Sequence, residues 1–178
     1  MNKTNFKNFL SPLLVILVAI LLRLLPHLPN FTPIAAMALF GGVYLNKKLA
    51  FIIPLAAMFM SDIFLGFHQT MPYVYGSFIL AGVIGLWLKN HKSAKNVICA
   101  SLISSILFFL ITNFGVWAAG WYPKNLSGLF ESYVMGIPFF KNTVFGDLVY
   151  TGLFFGGYEL IQVLASKYSL KKAFVNKK

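Results

Sequence analysis

Four acidic residues stand in this sequence of 178, namely Asp62, Glu131, Asp147 and Glu159, and three of them fall inside long apolar runs. An ionisable group in a membrane span costs at least about 2.5 kcal/mol on insertion scales, so each marks either a structural ion pair or a functional contact. Asp62 stands near the end of the third apolar run, and Asp147 about two turns into the sixth. Arg23 closes the first run and Lys141 opens the sixth. Laid out as helices, all four residues map to the same outer half of the membrane. Two readings stay open: Arg23 and Lys141 each lock an aspartate and hold the bundle together, or the same charges meet a ligand directly. Glu159 maps to the opposite end and reads as interfacial.

Uncharged groups gather at the same level. In RLLPHLPNFTPIAAMALFGG, from Arg23 to Gly42, Pro26 and Pro29 discourage helix continuation. Asn30 or Thr32 can cap a new helix that Pro33 starts. His68 lies in GFHQTMPYVYG, where a solvated side chain is the simplest reading, as for His27. Thr112, Asn113 and Trp117 share FFLITNFGVWAAGWYP, in which an asparagine seeks a hydrogen bond from a neighbouring helix or from a ligand. Trp121 and Tyr122 read as an interfacial aromatic belt. Asn142 follows Lys141. Three helix starts on this side share a proline, at Thr32-Pro33, Met71-Pro72 and Ile137-Pro138, and each helix N-terminus carries roughly half a positive charge. Together with Arg23 and Lys141 they favour a ligand that presents a carboxylate, phosphate or other electron-rich group.

These positions need a scaffold. Hydrophobic residues make up 58% of the chain, charged residues 11%, and the mean hydropathy is +0.76, whereas soluble domains carry about 25% charged residues. Apolar segments at 9–25, 33–45, 49–66, 72–88, 97–119 and 139–165 predict six transmembrane helices in one all-α polytopic domain covering 1–178, because lipid leaves no partner for unpaired backbone groups. The second segment is too short to cross a hydrocarbon core about 30 Å thick and is expected to begin inside the outer half. Lys3 and Lys7 precede the first segment as in a secretory signal, but no small-residue cleavage pattern follows, so this segment reads as a retained helix.

With the N-terminus cytoplasmic, the inner side collects Lys3, Lys7, Lys47, Lys48, Lys89, Lys92, Lys95, Lys167, Lys171, Lys172, Lys177 and Lys178. Arg23, Lys124 and Lys141 alone of the 15 basic residues remain on the other side, which places both termini in the cytoplasm. The net charge of +11 thus reflects orientation in a bilayer, and no basic face of the kind that binds nucleic acid emerges. The stretch from Gly120 to Pro138, with the amphipathic LSGLFESYVMG, reads as a lid loop before the last helix. Small residues four apart, at Ala38 and Gly42, Ala81 and Gly85, Gly115 and Ala119, and Gly152 and Gly156, allow close helix approach. Cys99 has no partner for a disulfide or at metal-site spacing. No catalytic, phosphate-loop or metalloprotease motif is present, and no cofactor is expected.

RLLPHLPNFTPIAAMALFGG, PLAAMFMSDIFLGFH, SSILFFLITNFGVW, GIPFFKNTVFGDL and LFFGG, in that order, resemble a bacterial family of uncharacterised membrane transport proteins over Arg23 to Gly157. That family is similar to the substrate-binding (S) components of energy-coupling factor vitamin transporters, six-helix proteins that hold a vitamin near the outer face. The resemblance implies a small-molecule substrate, a location in the bacterial inner membrane and an energising transporter module as partner. Where S components often carry Ala-x-x-x-Ala in their first helix, this chain has Ala19 and Arg23, so a solitary mode is also open. Solitary cobalamin carriers of similar size use a cysteine in the loop after the third helix. Here that loop offers His68, whose imidazole is the one candidate ligand for cobalt.

The sequence thus leads to a membrane transport protein that binds a vitamin-like or anionic micronutrient between Arg23, Asn30, Asp62, His68, Asn113, Trp117, Lys141, Asn142 and Asp147. A membrane scaffold, with those charges serving as bundle locks, and a membrane enzyme on an amphiphilic substrate are the alternatives.

Overall fold

A computed structural model describes residues 28–175, with side chains through Lys167, together with Leu17, Val18, Leu21, Leu22 and Leu25. Regular structure among the described residues is wholly helical: α1 Ile34–Tyr44, α2 Lys47–Leu65, α3 Met71–Leu88, α4 Ala94–Ala118 and α5 Leu126–Val175. Four of these, α2 to α5, are long and apolar enough to cross a membrane, which marks the chain as a membrane protein. Six spans are not found among the described residues. Most of the expected first span, Arg23 included, lies outside them, and the expected second span is too short to cross.

That second segment is α1, 11 residues long, or about 16 Å at 1.5 Å per residue. Every residue from Ile34 to Val43 is buried. A helix that is apolar all round belongs in the middle of its fold, and α2, α3, α4 and α5 all pack against it. Phe40 takes edge-on contacts from Phe154, Phe155 and Tyr158 of α5 at centroid distances of 6.3, 5.5 and 5.5 Å. The start of α1 corrects the expected capping: Pro33 is the N-cap, and no side chain bonds to the free amides. Asn30 instead holds φ at 61°, a left-handed conformation that asparagine tolerates better than most residues. The resulting turn is closed by the Phe31 N–H donating to the Leu28 carbonyl at 3.0 Å.

Helices α1 and α3 meet through glycine. A methyl group on Gly42 would stand 2.6 Å from the Gly85 carbonyl carbon, and one on Gly85 would stand 2.5 Å from the Leu39 carbonyl oxygen. Ala38 and Ala81, one turn away on each helix, are buried in the same seam. Two of the four small-residue pairs noted in the sequence therefore face each other. Gly115 lies under the Tyr73 ring, while a methyl on Gly152 or Gly156 would meet nothing within 4 Å.

Side-chain caps set where α2 and α4 begin. Asn46 accepts the Leu49 N–H at 2.9 Å and Ser93 accepts the Asn96 N–H at 3.1 Å, each satisfying one of the orphan donors of a helix start.

The expected lid loop is not a loop. LSGLFESYVMG forms the first turns of α5, and the connection shrinks to a turn that Asn125 closes by accepting the Gly128 N–H at 2.8 Å. Pro138, expected to open the last helix, lies inside it. A proline in a helix interior costs about 3 kcal/mol, and here the flanking turns are held against α4. Tyr133 donates to the Leu110 carbonyl at 3.0 Å, and the Phe109 ring stacks at a tilt against both Tyr133 and Phe140. The 50 residues of α5 extend for about 75 Å, more than twice the thickness of a hydrocarbon core.

The glycine seam predicts an asymmetric outcome. Gly85→Ala is expected to destabilise the protein in detergent by about 1–3 kcal/mol through overpacking. Gly152→Ala should leave stability unchanged or raise it by up to about 1 kcal/mol, through loss of glycine's entropy in the unfolded chain. Thermal unfolding of both variants measures the difference.

Candidate functional site

Because α1 fills only part of the bundle's depth, the core beyond its N-terminus is left to other groups, and there a pocket of about 440 Å³ opens. The turn before α1 and the first residues of α1 form one wall, with Met58 of α2, the start of α3, the second half of α4, the connection after it and the first half of α5 completing it. Phe78, Phe108, Phe109, Phe139 and Phe140 make it largely aromatic, and the rings lock one another, Phe78 to Phe108 at 5.3 Å and Phe109 to Phe140 at 4.7 Å. Trp121, 68% exposed, and His68 stand at the rim.

Polar groups converge on this apolar chamber. Asp147 lines it while only 4% exposed, and its Oδ2 accepts the Ser105 hydroxyl at 2.6 Å. Ser105 is wholly buried, and its oxygen also lies 3.1 Å from the Ser101 carbonyl oxygen, so its one proton is shared between that carbonyl and Asp147. Thr143, one turn before Asp147, and Ser132 are buried lining residues. Their hydroxyls bond to carbonyls of their own helix, Phe139 and Leu129 respectively, so both keep acceptor capacity toward the chamber. Thr112 does the same with Phe108.

Of the nine residues singled out from the sequence, Asn30, His68, Asn113 and Asp147 line this pocket. Asn113 also serves packing: its amide donates to the Phe109 carbonyl at 2.8 Å, and its side chain presses on Gly136 of α5. His68 pairs through Nδ1 with the Thr70 hydroxyl at 2.8 Å. Asp62 is buried outside the pocket and accepts the Tyr75 hydroxyl at 2.7 Å. Trp117 is turned to the connecting segment, its indole N–H donating to the Pro123 carbonyl at 3.0 Å with the Lys124 ammonium over its ring. Asn142 braces the turn before α1 by donating to the Pro29 carbonyl at 3.1 Å. Lys141 is exposed and forms no ion pair among the described residues. Arg23 lies outside the described residues, so its expected pairing is not addressed.

Two placements differ from expectation. Asp147 sits about six turns into α5 rather than two, because the helix starts at Leu126. Trp121 and Tyr122, read as a membrane belt, line the pocket instead. Ser105 and the phenylalanines were missed altogether. A usable signal existed for the serine, since Ser101, Ser105 and Thr112 place hydroxyls along one side of an otherwise apolar helix.

Far from this pocket, at the end where α1 finishes and α4 begins, Lys92 and Glu159 form an ion pair at 2.5 Å with the Tyr44 hydroxyl beside them. The hydrogen bond to Glu159 pushes the Lys92 ammonium above its ordinary range. Both partners are well exposed, so the pair contributes little to stability. Among the described residues no group of three or more His, Cys, Asp or Glu side chains is placed to hold a metal ion.

A family model matches residues 3–170. The chain belongs to DUF6580, a family of unknown function. No curated protein and no solved structure matches this DUF6580 chain.

Asn113 and Gly136 provide a test of how the pocket wall is held. Gly136→Ala forces a methyl against the Asn113 amide and is expected to cost about 1–3 kcal/mol. Adding Asn113→Ala frees that space, so the two substitutions together should be less damaging than their sum by at least about 0.5 kcal/mol, as read from unfolding midpoints in detergent.

Proposed function

We propose that this DUF6580 chain is a transport protein of the bacterial cytoplasmic membrane that captures a small, vitamin-sized molecule in the pocket above α1 for uptake. The observation that carries the reading is the pocket itself: about 440 Å³ of space with aromatic walls and a buried carboxylate. Pockets that hold small molecules are mostly apolar with a few convergent polar groups, and here aromatic walls surround Asp147, Asn113, Thr143 and Ser132. A scaffold would gain nothing from a chamber of that size, since every missing contact lowers packing energy.

Orientation supports uptake. With the N-terminus inside, lysine-rich segments fall on the cytoplasmic face, and the pocket end, where α2 and α4 finish and α1 and α3 begin, faces outward. Of the supports for an anionic ligand, the N-terminal turns of α1 and α3 do reach the pocket through Ile34, Ala35 and Thr70, whereas no lysine or arginine among the described residues lines it.

Purified protein is expected to carry, or to acquire on incubation with a metabolite extract, a small molecule detectable by mass spectrometry, and that molecule should raise the unfolding temperature. Thr112→Trp, which fills the pocket from α4, should abolish the rise. A ligand-induced rise that survives this substitution would place binding elsewhere. Reporter domains fused to either terminus should both be active on the cytoplasmic side; opposite sidedness of the two would exclude an even number of spans.

A further inference from the structure

We propose that the ligand presents a positively charged nitrogen to Asp147, in a pocket built for an aromatic or apolar organic cation; this rests on the binding function proposed above. The pocket lining contains one carboxylate, and no lysine or arginine among the described residues. Asp147 is withdrawn from water, at 4% exposure, and receives the Ser105 hydroxyl at 2.6 Å as its hydrogen bond from the described residues. A carboxylate offers about four acceptor positions, so most of its capacity is open to whatever occupies the chamber. Burying such a group is costly without a counter-charge or further donors. A cationic ligand supplies both at once, through a charge-assisted N–H···O bond roughly twice as strong as a neutral one.

The walls fit the same chemistry. Phenylalanine faces are negative at their centres and attract cations within about 6 Å, and five phenylalanines line the chamber with the Trp121 indole at its rim. They also accommodate a flat ring next to the charged group. The helix N-termini that reach the pocket carry partial charges only, which fall off within the first turn, against the full charge of an ionised Asp147. They suit an electron-rich substituent at the far end of the ligand. His68, at the rim, is engaged with Thr70. Asp62 faces Tyr75 outside the pocket, so it is not a second counter-charge for the ligand.

Four compounds on one frame separate the possibilities: tryptamine, tryptophol, indole-3-propionate and N-acetyltryptamine. Titrated into wild-type protein in detergent at millimolar concentrations, tryptamine is expected to raise the unfolding temperature saturably. The uncharged and anionic analogues should bind at least tenfold more weakly. Asp147→Asn should remove the preference for tryptamine, and Ser105→Ala should reduce it while leaving the carboxylate in place. Should Asp147→Asn fail to fold, the wild-type comparison of tryptamine with tryptophol decides alone, because the two have the same number of heavy atoms and differ in an ammonium against a hydroxyl group. Equal binding of those two, or stronger binding of indole-3-propionate, overturns the inference and leaves the pocket's binding role intact. If none of the four binds, the charge of a molecule that co-purifies decides: a cation supports the inference, and a neutral or anionic molecule overturns it. Absence of both probe binding and any co-purifying molecule overturns the binding function itself.

Discussion

The structure depends on how closely α1 approaches α3. In a bilayer, lipid tails are as apolar as leucine, so helices gain little from hiding apolar surface from one another and rely on dense packing. Gly42 against Gly85 removes side chains from the crossing point and brings backbone to backbone. That contact seats an 11-residue helix at the centre of a bundle whose other described helices run from 18 to 50 residues. With α1 anchored there, α2, α4 and α5 have a common surface to pack on.

A pocket follows from the same geometry. A central helix of about 16 Å cannot fill a core of about 30 Å, and among the described residues the side chains around the remainder line a pocket. The turn at 28–33 closes α1 from above. It is held by the Asn142 amide on the Pro29 carbonyl and by the Phe31 ring on Tyr150 at 5.3 Å. This turn belongs to the pocket wall and to the α1–α5 contact at once.

Two buried aspartates illustrate what position does to a charge. Asp62 and Asp147 are 2% and 4% exposed, equally removed from solvent, and each accepts a hydroxyl from the neighbouring helix. Asp62 is packed into the α2–α3 contact. Asp147 borders open space. The first is suited to joining two helices and the second to meeting a guest, although in sequence each is simply an acid in an apolar run.

Composition and hydropathy determined the helical class, the membrane setting and the short second segment, because these follow from what a bilayer demands of any chain; the small-residue pairs were visible, and the fold decided which of them meet between α1 and α3. Asp147 and Asn113 were legible as candidates for a related reason: polar side chains at membrane depth are costly and need a purpose, whereas His68 and Asn30 stand in exposed turns that carry no such signal. Tertiary structure alone decided the rest. Pro138 looks like a helix start by local rule, yet contacts of Tyr133 and Phe140 with α4 carry the helix through it. Sequence favoured Trp117 over Trp121 as a site residue, yet the turn after α4 sends the Trp117 indole to Pro123 and places Trp121 at the pocket rim. Ser105 acquires its role from a residue 42 positions away. Such choices depend on which faces of distant helices meet, and helical periodicity fixes the face a residue occupies without specifying what lies opposite.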